Sequence, residues 1–210
     1  MIVKVCGITL STQYEALVSM GIDLAGLIFV PESKRYVVSR MPARYLPSKD
    51  HTMKRVGVFQ NKPLDELLQL AEEYDLDVVQ LHGNESPEFA ARVKEARYRV
   101  IKVIPVGSDT ARLQQTVQSY EGAIDWLLFD TLLANGQSGG TGQQFNWDIL
   151  HQLQLPVSFF LSGGIGPEHK AALQEFQHPQ FLGVDVNSKF EVSPGVKDLS
   201  KLEDWLHKIR

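Results

Sequence analysis

The sequence predicts an α/β protein folded as a single (β/α)8 TIM barrel over residues 1–210, and three observations predict it. Short apolar, β-branched runs recur roughly every 20 to 30 residues, each followed by a polar turn and a segment of helical periodicity. Eight such units fit a small barrel, whereas an open doubly wound sheet usually needs only five or six strands. The first run is not followed by the GxGxxG of a dinucleotide-binding unit.

Taken in order, the strands are expected to begin near Ile2, Asp23, Lys54, Asp77, Tyr98, Asp125, Val157 and Phe181. The helices are expected near 11–20, 42–48, 63–74, 86–96, 109–121, 146–153, 167–176 and 198–208. Gly7 breaks the first strand after Cys6, and Ser11 or Thr12 is expected to cap the helix that follows. The second helix has room for two turns at most, because Pro42 and Pro47 bracket it. Pro63, Pro87 and Pro167 stand at or near helix starts, where a missing N–H is tolerated. No Gly/Ser/Pro tract interrupts the pattern, so one domain is expected.

Composition narrows the function classes. The charge of −4, from 21 basic and 25 acidic residues, comes with no basic stripe, which argues against a nucleic acid partner. The single cysteine excludes an internal disulfide and points to a reducing compartment. Neither a signal peptide nor an apolar stretch of about 20 residues is read, so no membrane association and a cytoplasmic location are expected. The ordinary composition fits a monomer or a homodimer.

In such barrels the chemistry gathers on the loops at the carboxyl ends of the strands. Gly163 and Gly164 follow the seventh strand, and Asn187 and Ser188 the eighth, where exposed N–H groups can hold a phosphate. Period-2 alternation puts Trp126, Leu128 and Asp130 on one face, so a carboxyl ends an apolar row and suits a general acid. Lys4 and Cys6 also share a face; the ammonium either favours a thiolate or is tied to a carboxylate deeper in the barrel. His82 ends the fourth strand on the face of Val78 and Gln80 as a ligand contact or a structural histidine. His51, His151, His169, His178 and His207 show no pairing that suggests a metal site.

The motifs Lys4-Val-Cys-Gly-Ile-Thr9, Gly26-Leu-Ile-Phe29, Lys34-Arg-Tyr-Val37, Val56-Gly-Val-Phe59, Val79-Gln-Leu-His-Gly83 and Phe129-Asp130 recur in one known order. Gly139-Gly-Thr-Gly142 with Phe145 and Trp147, Ser162-Gly-Gly164, Gly183-Val-Asp-Val186 and Ser193-Pro-Gly-Val-Lys-Asp198 complete it. Together they resemble the phosphoribosylanthranilate isomerase family of tryptophan biosynthesis, from Lys4 to Asp198. The resemblance implies a cofactor-free Amadori rearrangement of a phosphorylated small molecule, with Cys6 as general base and Asp130 as general acid. It also implies that Arg35 faces the anthranilate carboxylate, and the expected substrate contacts are Arg35, His82 and Asp185.

The rivals are another aldose–ketose isomerase or epimerase of this fold, and a barrel that only binds sugar phosphates. A sister isomerase of histidine biosynthesis ends its first strand with aspartate, against Cys6 here; an epimerase would need more metal ligands than His82. The chain departs from the family after its eighth strand, where Lys189-Phe190-Glu191 stands in place of the usual Gly-Val-Glu. That change is expected either to strain the phosphate grip or to add a cation to it.

Overall fold

The computed structural model describes residues 1–49, 52–131 and 145–210; His51 and the Ser138-Gly139-Gly140-Thr141-Gly142 motif lie outside them. Eight parallel strands form a closed barrel in sequence order. They are β1 Ile2–Cys6, β2 Leu24–Ile28, β3 Lys54–Phe59, β4 Val78–Leu81, β5 Arg99–Val106, β6 Trp126–Thr131, β7 Phe159–Leu161 and β8 Phe181–Val186. Pairing of β1 with β8, with Lys4 opposite Asp185, closes the ring. Every expected strand start falls within two residues of the observed one.

Alternation divides each strand between two cores. Outward side chains such as Val3, Val5, Leu127 and Phe129 join the large cluster under the helices. Inward ones, among them Leu24, Val56, Val78, Ile101, Leu128 and Phe160, fill the barrel interior. Cys6, Ile28 and Val58 form a separate apolar group. The interior is therefore a packed floor, and polar residues can gather only towards the strand ends.

The amino ends carry a repeated device. Asp23, Asp77 and Asp125 each stand just before an even-numbered strand and accept the N–H of a residue on the strand before it. The donors are Val3, Arg55 and Val100, at 2.8, 2.9 and 2.8 Å. Each carboxylate satisfies a backbone donor that the slanted parallel ladder leaves over at its edge.

The helices are α1 Ser11–Ser19, α2 Val37–Arg40, α3 Leu64–Glu73, α4 Pro87–Glu95, α5 Thr110–Ser119, α6 Lys170–Glu175 and α7 Leu199–Ile209. Three expectations need correction. The cap of α1 is Leu10, without a side-chain cap bond, and Ser11 is already inside the helix. The helix expected at 42–48 is replaced by α2 and a 3-10 turn, Ala43–Tyr45. Pro42 is extended at ψ 151°, and Leu46, ahead of Pro47, is held at ψ 128°, so the prolines exclude helix on both sides. The segment expected as a helix at 146–153 is a 3-10 turn, Trp147–Gln152. Its buried apolar residues Trp147, Leu150 and Leu153 recur every third position, which matches three residues per turn.

Beyond β8 the chain makes a 3-10 turn, Ser188–Phe190, and a small antiparallel hairpin, β9 Glu191–Ser193 with β10 Val196–Lys197. Phe190 is fully buried against Trp205 of α7, with ring centroids 4.9 Å apart. Lys189 does not adopt a positive φ, so the missing family glycine costs no left-handed strain here.

Candidate active site

A cavity of about 210 Å³ opens at the carboxyl ends of the strands. All nine candidate residues line it: Cys6, Asp130, Arg35, His82, Asp185, Gly163, Gly164, Asn187 and Ser188. Its walls are completed by Ile28, Val30, Ser33, Val58, Gln60, Gln80, Leu128, Ser162 and Ile165.

Cys6 is the last residue of β1, and Gly7, at φ +78°, turns the backbone sharply out of the strand. Burial is the largest influence on the thiol and raises its pKa above the usual value; Lys4 and Lys197 oppose it, and Asp185 adds to it. Lys4 therefore does both things open to it. It bonds Asp185 Oδ2 at 2.8 Å and faces the thiol, but it does not outweigh burial there. Burial works to lower the pKa of Lys4 itself, and Asp185 with Cys6 more than restores it. Burial raises the pKa of Asp185 against the pull of Lys4, so both shifts favour the protonated form, which charges Lys4 but would neutralise Asp185. The 2.8 Å contact decides for the ion pair, since a buried ammonium needs a charged acceptor.

Asp130 is buried near the end of β6, and its Oδ1 accepts the N–H of Thr131 at 2.9 Å. His82 Nε2 is 3.6 Å from Asp130 Oδ2, beyond hydrogen-bond reach. Among the described residues, His82 Nε2, Gln80 Oε1 and Asp185 Oδ1 are buried without a hydrogen-bond partner, and all three side chains line this cavity. Buried polar atoms are rarely left so, and their convergence is what a polar ligand would satisfy.

Gly163 and Gly164 have φ of +86° and +68°, which L side chains rarely adopt. A Cβ at Gly163 would strike Thr131 and approach Asp130 Oδ1 to 3.0 Å, so this loop runs directly against the Asp130 carboxylate. The loop continues into a 3-10 turn, Pro167–His169, and the six-residue α6; the Gly166 N–H is already taken by His169 Nδ1 at 3.0 Å. The start of this helix therefore has one backbone donor fewer to offer, and the loop backbone is what faces the cavity. Lys189 does not line the cavity, and its ammonium lies 3.2 Å from Glu168 on the exposed rim. Among the described residues no group of three or more His, Cys, Asp or Glu has the arrangement of a metal site.

Residues that sequence reasoning gave no role complete the site. Gln80 was visible only as a neighbour of His82, although its inward position follows from the same alternation. Glu191 and Lys197 belong to quoted motifs, but nothing in their spacing shows that they reach Arg35 and Asn187.

The arrangement matches known proteins along its whole length. Residues 3–208 match the family model described as N-(5'phosphoribosyl)anthranilate (PRA) isomerase. The N-(5'-phosphoribosyl)anthranilate isomerase of Parabacteroides distasonis is 39% identical over 211 residues, covering 100% of this chain and 93% of that protein. The phosphoribosyl anthranilate isomerase of Thermus thermophilus superposes with a TM-score of 0.84 at 29% identity, covering 100% of this chain and 98% of that one. A phosphoribosyl anthranilate isomerase in complex with reduced 1-(o-carboxyphenylamino)-1-deoxyribulose 5-phosphate gives 0.81 at 29% identity, with the same coverage. A site of this composition on a barrel matched from end to end leaves one assignment: the chain belongs to the N-(5'-phosphoribosyl)anthranilate isomerase family.

Proposed function

We propose that this cavity carries out the family's reaction, the isomerisation of N-(5'-phosphoribosyl)anthranilate to 1-(2-carboxyphenylamino)-1-deoxyribulose 5-phosphate in tryptophan biosynthesis, without a cofactor. The observation that carries the mechanism is that Cys6 and Asp130, from β1 and β6, line one cavity with the glycine loop after β7. Asp130 donates a proton to the furanose ring oxygen; the C1'–O bond breaks, and the anilino nitrogen's electron pair forms a protonated imine. The Cys6 thiolate then removes the proton on C2', which the iminium has acidified, giving an enolamine. Tautomerisation adds the proton held by Cys6 to C1' and releases the C2' hydroxyl proton to the Asp130 carboxylate, giving the ketone and restoring thiolate and acid, so atoms and charge balance over the cycle.

Around that pair, Arg35 takes the anthranilate carboxylate, His82 and Asp185 contact the sugar, and Gly163, Gly164, Asn187 and Ser188 hold the phosphate. A working free thiol suits a reducing compartment, which supports a cytoplasmic location. The test is a pair of variants assayed by loss of substrate fluorescence. Cys6→Ser should fold normally and lose roughly 10²–10⁴-fold in turnover, the usual worth of a positioned base. Asp130→Asn should depress kcat far more than it changes KM, because protonation is needed only in the transition state. Near-normal turnover in Cys6→Ser would remove the thiol from the mechanism.

A further inference from the structure

The hairpin after β8 holds a buried ionic cluster that the acid–base mechanism does not use. Glu191 Oε1 accepts from Arg35 Nε at 2.9 Å, and Glu191 Oε2 from Arg35 Nη2 at 2.6 Å. The same carboxylate accepts from Lys197 Nζ at 2.8 Å and from the Gly195 N–H at 3.0 Å. Lys197 Nζ also donates to Asn187 Oδ1 at 2.7 Å. The Lys197 side chain is wholly shielded from solvent, and Glu191 is nearly so. The cluster thus lies behind the wall of the cavity, which Arg35 and Asn187 line, and is not a surface pair.

A planar guanidinium has two edges suited to a carboxylate, one through Nε and Nη2 and one through Nη1 and Nη2. Glu191 occupies the first. Nη1 makes no hydrogen bond among the described residues, so the second edge is the one Arg35 offers to the cavity it lines. Lysine is only a donor, so Asn187 must turn its carbonyl oxygen to Lys197, which leaves its NH₂ for the cavity. The two arms meet over Gly7: a Cβ there would lie 2.6 Å from Arg35 Cδ and 2.9 Å from Asn187 Oδ1.

We propose that Glu191 and Lys197 are positioning residues, a single brace that aims Arg35 at the carboxylate end of the ligand and Asn187 at its phosphate end. The proposal rests on the assignment of those two ends made above. It follows that the hairpin sets the distance between the two anionic groups the site accepts, and so selects for ligands that carry both.

Two small anions probe the ends separately as competitive inhibitors of the fluorescence assay: anthranilate for the carboxylate end and inorganic phosphate for the other. Glu191→Gln should raise the inhibition constant of anthranilate on the order of ten-fold and that of phosphate by less than about two-fold, with KM rising more than kcat falls. Lys197→Met should weaken phosphate, and Lys197→Arg should recover part of that loss. Glu191→Asp, which keeps the charge and shortens its reach, carries the same test if the glutamine variant does not fold. If Arg35→Lys weakens anthranilate and the Glu191 variants do not, the brace is overturned while the role of Arg35 stands. If Arg35→Lys is silent too, the carboxylate assignment falls and the brace with it. Unchanged phosphate inhibition in Lys197→Met removes Lys197 from the brace.

Discussion

Lys4 Nζ lies 2.8 Å from Asp185 Oδ2, and the two residues are direct register partners on β1 and β8, the strands that close the barrel. Both are buried, so neither charge can be relieved by water if its partner is removed. Lys4→Met should cost about 3–5 kcal/mol of stability in urea unfolding, because a buried carboxylate is left unpaired. The double variant Lys4→Met with Asp185→Leu should lose clearly less than the sum of the single changes. Additive losses would show that the two charges do not depend on each other.

The pH dependence of the thiol follows from its burial. A raised pKa means that Cys6 keeps its proton to higher pH, and the basic form appears only as pH rises through that value. Alkylation of this single cysteine by iodoacetamide should therefore accelerate above the ordinary thiol range, near pH 8.5 for a free cysteine. Activity that depends on the thiolate should rise in the same direction. A labelling profile centred well below that range would mean that Lys4 and Lys197 prevail over desolvation.

At the opposite end of the barrel, Asp125 accepts the N–H of buried Val100 at 2.8 Å, far in sequence and in role from the cavity. Asp125→Ala leaves that donor unsatisfied and should lower stability by about 1–3 kcal/mol. The same variant should keep kcat and KM, since no strand end that faces the cavity is touched. A selective loss of kcat at full stability would contradict this separation.

Lys189→Gly restores the family's usual residue and removes an exposed pair with Glu168. Rim ion pairs contribute roughly 0–1 kcal/mol, so KM and its salt dependence should change little. A marked rise in KM, with a flatter salt dependence, would return Lys189 to the phosphate grip.

The strands were legible because apolar alternation is a local signal, and the same alternation placed Cys6, Asp130 and His82 at the cavity. The helical segments were legible where caps and amphipathic spacing agreed, as at Ser86, whose side chain accepts from Phe89 N–H. They failed where proline or a three-residue burial period intervened, at 42–48 and at Trp147–Gln152. The brace was not legible at all. Arg35 and Glu191 are 156 positions apart, and only the closed ring brings the hairpin over the second strand's loop.

Closure of the ring also fixes when the site can exist during synthesis. A nascent chain that has emerged through β6 already carries Cys6, Asp130, Arg35 and His82. It still lacks the glycine loop, Asn187, the brace, and the carboxylate that neutralises Lys4. The contacts between the first and eighth strands span 181 positions, the kind of long loop whose closing entropy must be met late in folding. A ribosome-bound or proteolytically shortened barrel would therefore hold Cys6 and Asp130 without the loop and the hairpin that close one cavity around them.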